Sequence, residues 1–182
     1  MDRTITDRIN LQIQDFSLPC YNQLPAIGLY IDQVVQIIET MLKPLCSSED
    51  QSWITTSMIN NYTKQGLIKR PAKKRYDREQ IAYLIYICLT KSVMQIANIK
   101  QLINIQKSTY DIETAYNYFC TEFENCLQTV FTNKGTEPTP VSKETEQTFL
   151  LRAVILTIVQ QIYLNKYLGV LSKDPETEKA TK

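Results

Sequence analysis

Residues 53–89 read WITTSMINNYTKQGLIKRPAKKRYDREQIAYLIYICL, and this stretch decides the fold. Its first half carries the signals for both ends of one short helix. Thr55 is a good N-cap, because its hydroxyl can accept from an orphan N–H of the first turn. Ile54 and Ile59 stand at the N′ and N4 positions of a hydrophobic staple. Gly66 suits C′, where the backbone takes positive φ, and Leu67 at C″ can fold back on Tyr62. Start, stop and clamps together predict a helix of about ten residues over 55–65.

The segment KRPAKKRY (69–76) has no helical spacing. Pro71 interrupts it and basic groups flank Pro71–Ala72, so it reads as a small hairpin or loop. Asp77 and Gln80 then form a D-x-x-Q capping box. Ile81, Leu84, Ile85, Cys88 and Leu89 give the next helix a buried stripe. Tyr83, Tyr86 and Ile87 widen it until most sides are apolar. Ile96, Ile99, Leu102 and Ile103 mark another short helix.

Outward from this block the chain is again helical. Ile5, Ile9 and Ile13 suggest a short helix around Thr4–Gln14, after which Pro19 and Pro25 impose extended segments. Ile31, Val34, Val35, Ile38, Met41, Leu42 and Leu45 fall at helical spacing, ended by Pro44. A loop, SSEDQS (47–52), leads into the central block. Residues 110–131 are amphipathic, 132–144 form a polar linker, and a final helix spans about 143–171. Its sequence FLLRAVILTIVQQIYLNKYLGVL is apolar nearly all round, as expected of a central helix or an oligomer seam. Arg152, Gln160–Gln161 and Asn165–Lys166 interrupt it, which argues against a transmembrane span. Only 4 Gly and 7 Pro in 182 residues agree with long helices. The expected architecture is all-α: a head with its N-terminal segment over 1–108, a C-terminal helical region over 109–172, and a disordered tail over 173–182.

Composition narrows the chemistry. With 43% apolar and 21% charged residues this is an ordinary globular composition. The chain contains no histidine, which removes the commonest general base and metal ligand. Cys20, Cys46, Cys88, Cys120 and Cys126 include no CxxC pair, which excludes a zinc ribbon or thioredoxin motif. No Gly-rich phosphate loop or G-x-S-x-G occurs. The expectation is therefore a protein without cofactor or metal that is not an enzyme. The charged opening MDRTITDR and the free thiols point to the cytoplasm.

Charge does single out a surface. Between residues 61 and 80 stand seven basic residues and two acidic ones, a local excess of +5 in a chain whose net charge is +1. A short capped helix, a basic proline-containing turn and two further helices are laid out as in a helix-turn-helix with a wing. On the outer helix face stand Ser57, Asn60, Asn61 and Lys64. Asparagine can make bidentate contacts to adenine, and lysine reaches guanine or phosphate. Lys69, Arg70, Lys73, Lys74 and Arg75 supply phosphate-directed cations. The expected partner is duplex DNA, bound by a homodimer joined through the C-terminal helices. The alternative is a protein-interaction module whose degenerate helix-turn-helix presents a basic wing to an acidic partner.

The segment INNYTKQGLI (59–68), followed by Pro71, Arg75–Tyr76 and IAYLIYICL, resembles the winged helix-turn-helix of MerR-type regulators. That resemblance implies DNA-facing roles for Asn60, Asn61, Lys64, Arg75 and Tyr76. More closely, LPAIGLYIDQVVQIIE (24–39), TTSMINNYTKQGLIKRPAKKRYDREQIAYLIYI (55–87) and VMQIANIKQLI (93–103) resemble a bacterial family described only as domain of unknown function 1836. It implies a bacterial cytoplasmic protein with a MerR-like head and assigns no activity or effector. Elsewhere, Cys120, Cys126, Tyr116, Phe119 and Phe123 are expected in the core. Asp32 and Glu39 are expected on solvated surface.

Overall fold

The computed structural model describes residues 4–132 and 145–172. The proposed tail over 173–182 and nearly all of the 132–144 linker lie outside them. Seven α-helices follow in order: α1 (Ile5–Ile13), α2 (Ile31–Leu42), α3 (Thr56–Lys64), α4 (Arg78–Thr90), α5 (Ile96–Thr109), α6 (Ile112–Thr132) and α7 (Glu146–Leu171). The all-α expectation holds among the described residues. Extended pairing there is limited to two isolated antiparallel bridges, Leu29 with Tyr76 and Ala72 with Arg75.

The cap chemistry settles the helix ends. The Thr55 hydroxyl accepts from the Met58 N–H at 3.2 Å. At the other end Gly66 has φ +71°, and the Leu67 N–H donates to the Tyr62 carbonyl at 3.0 Å, the longer bond of a Schellman motif. The Asp77–Gln80 box closes in both directions, at 2.8 and 3.0 Å. Gln80 is buried and donates a further bond from Nε2 to the Lys69 carbonyl, tying the start of α4 to the basic segment.

One contiguous core runs through the molecule. α4 lies inside it, buried from Gln80 to Thr90 apart from the half-buried Tyr86. α7 packs against α6, α1 and α4, and α5 against α6. The N-terminal helix packs on α6 and α7 and also on the turn Lys43–Leu45 that follows α2. Its buried Ile9 and Ile13 form the apolar face that does this. Phe119, Phe123 and Cys120 are in the core as expected, with Cys126 half-buried.

Glu39 departs from the expected solvated role. Its Oε1 accepts from the Ile54 N–H at 2.7 Å and from the Ser52 hydroxyl at 2.8 Å. It thereby anchors the loop that delivers α3. Trp53 reinforces that loop by donating its indole N–H to the Cys46 sulfur at 3.0 Å, and Lys91, the C-cap of α4, donates to the Trp53 carbonyl.

Candidate nucleic-acid interface

α3 turns Ile59 and Tyr62 into the core. Ser57, Asn60, Asn61 and Lys64 therefore share the opposite face, at i, i+3, i+4 and i+7, and all four are exposed. None of these side chains has a hydrogen-bond or ion-pair partner among the described residues. Lys100 of α5 supplies a further cation at the C-terminal end, where its Nζ donates to the Gln65 carbonyl at 2.7 Å.

The basic segment forms a tight hairpin. The Arg75 N–H donates to the Ala72 carbonyl at 2.9 Å, while Lys73 and Lys74 have φ of 50° and 61°. Positive φ at both central residues is the backbone of a type I′ turn, which favours Asn-Gly because a Cβ is strained there. This turn carries two lysines, both exposed and without polar partners among the described residues. Arg70 is likewise exposed and unpaired among them.

Three residues of the expected contact set have other work. Tyr76 is only 3% exposed. Its backbone pairs with Leu29 at 2.8 and 2.9 Å, and burial raises the pKa of its phenol. The DNA-facing role that the MerR resemblance implies for Tyr76 does not fit this burial: the residue ties the hairpin base to the segment before α2. Lys69 is engaged with Glu79 at 2.7 Å and Asp77 at 3.1 Å, which neutralise its charge and raise its pKa. Arg75 donates to the Gly28 carbonyl at 3.0 Å and the Tyr30 hydroxyl at 3.1 Å, with its guanidinium 4.5 Å from the Tyr30 ring centre. A Cβ on Gly28 would stand 2.9 Å from the Arg75 Cβ, so only glycine admits this clamp. The uncommitted cations are Lys64, Arg70, Lys73 and Lys74.

Sequence reasoning missed the Gly28–Tyr30–Arg75 clamp. A glycine after Pro25 hints at close backbone approach, but nothing local names a partner 47 residues away. It also missed Lys166 of α7. This side chain is 4% exposed and donates to Gln12 Oε1 at 3.0 Å and the Cys46 carbonyl at 2.9 Å. Among the described residues no carboxylate partners it, and desolvation pushes its pKa down to about 8.

The fold and site define a protein, all-helical among the described residues, that presents a polar helix face and a lysine-tipped hairpin. The chain belongs to the family described as Domain of unknown function (DUF1836), whose model matches residues 19–119, from the segment before α2 into α6. No curated protein and no solved structure matches the chain.

Proposed function

We propose that the protein is a DNA-binding regulator whose MerR-like winged helix-turn-helix head is built from α2, α3, the basic hairpin and α4. In this reading α3 enters the major groove with Asn60 and Asn61 toward base edges. Ser57 and Lys64 contact bases or phosphates, and Lys73, Lys74 and Arg70 meet the flanking phosphates. Arg75 sets the angle of the wing. Such a protein acts where the chromosome is, in the cytoplasm of a bacterium.

The observation that carries this reading is the wing tip. Two lysines occupy left-handed backbone that Asn-Gly would fill without strain. Strain of this kind persists where a side chain is needed for something other than folding. Replacing Lys73→Asn together with Lys74→Gly separates the two demands. The turn relaxes, so the melting temperature should rise by roughly 2–4 °C for about 1 kcal/mol gained. Affinity for a pool of random-sequence duplexes should fall roughly tenfold, and the slope of log K against log salt should shrink by about two. Unchanged affinity and slope would remove the wing from the interface.

A further inference from the structure

α7 has its polarity inside out. Between Gln147 and Ser172 its charged residues are Arg152 and Lys166, and both turn inward. Arg152 Nε donates to the nearly buried Glu122 carboxylate at 3.0 Å, and Lys166 is buried against Gln12 and Cys46. Outward point Phe149 (60% exposed), Leu150, Leu156, Leu164 (56%) and Leu168 (58%). Ala153, Thr157 and Gln160 fill the gaps between them, so from Phe149 to Leu168 this face holds no charge, with exposed Glu146 standing beyond its N-terminal end. A helix on the surface of a monomer does the opposite, turning leucines in and charges out.

Something must cover this face, and the rest of the chain offers little. Residues 1–3, 133–144 and 173–182 contain only Met1 and Val141 as large aliphatic side chains. We infer that the occupant is a second copy of α7, packed face to face about a two-fold axis near Gln160. A charge-free band is self-complementary, as an isologous contact requires. Such an axis puts Gln160 beside its own mate, where two amides can exchange hydrogen bonds, and flanks it with Leu156 and Leu164. From Phe149 to Leu168 the band runs about 28 Å at 1.5 Å per residue. Pairing over that length removes on the order of 1,000 Å² in total, near the lower edge for a specific interface.

A bilayer is the competing occupant, because α7 is long and apolar enough to cross a membrane by length and composition. Its inward side is already packed on α1, α4 and α6, however, and the outer face lacks the lysines, arginines and tryptophan that hold a helix at a lipid surface. The pairing does not depend on DNA binding, and a dimer that binds no duplex would leave it standing.

Analytical ultracentrifugation of the full chain tests it, over roughly 1–100 μM to bracket an interface of this size. The wild type should shift from monomer to dimer across the range. Leu156→Glu with Leu164→Glu should remain monomeric, a weakening of at least about 100-fold, and its melting curve should match the wild type's where both are monomeric, because both side chains are exposed. Gln160→Glu, a milder change at the same face, should weaken the dimer by like-charge repulsion across the axis. A wild type that stays monomeric throughout, or variants that dimerise as it does, would overturn the inference. So would co-sedimentation of the wild type, but not the Leu156→Glu/Leu164→Glu variant, with phosphatidylcholine–phosphatidylglycerol vesicles.

Discussion

α4 and α7 read alike in the sequence, each apolar nearly all the way round, yet the fold treats them oppositely. α4 is enclosed by the core. α7 buries one side and leaves a row of leucines in solvent. Apolarity says that a helix needs covering without saying by what. α4 is short, capped at Asp77 and fed directly from the hairpin, so the chain on both sides wraps it. α7 is 26 residues long, and its inward neighbours cannot reach round it.

The largest expected effect sharpens that contrast. Ile85→Ala in α4, at 0% exposure, should cost about 2–5 kcal/mol in denaturant unfolding. Leu164→Ala in α7, measured where the chain is monomeric, should stay within about 0.5 kcal/mol. Equal costs would mean that the outer face of α7 is covered within one chain.

A smaller effect concerns the charge that α7 turns inward. The Lys166 amine has a folded pKa near 8 against 10.5 for an ordinary lysine. Between those values the unfolded chain binds the extra proton, so this group makes stability rise with pH, at up to about 1.4 kcal/mol per unit. Below pH 8 both states carry the proton and the full desolvation cost remains. Buried Cys88 and Cys120, each pushed up to about 12, pull the other way, but they do so equally in a Lys166→Met variant. The stability of the wild type relative to that variant should therefore climb from pH 8 to 10.5. A flat difference would show Lys166 to be ordinarily solvated.

Much of the head was legible because its signals are local. Thr55, Gly66, Leu67, Asp77 and Gln80 act within a few residues of themselves, and each took its expected position. The outward set on α3 followed from helical spacing alone. The partners of Tyr76, Lys69, Arg75 and Glu39 were not legible, because they lie distant in the chain or across a turn. A basic or acidic side chain looks the same in sequence whether it faces water, a carboxylate or an orphan N–H. The same limit hid Lys166, whose neighbours come from α1 and the α2–α3 loop.

Selection from a pool of random duplexes at fixed salt tests the central claim most directly, because it reads specificity apart from charge. The protein should enrich a short motif, and Asn60→Ala with Asn61→Ala should blur that motif at its adenine positions while general affinity changes little. Recovery of the input pool without enrichment would contradict a groove-reading α3.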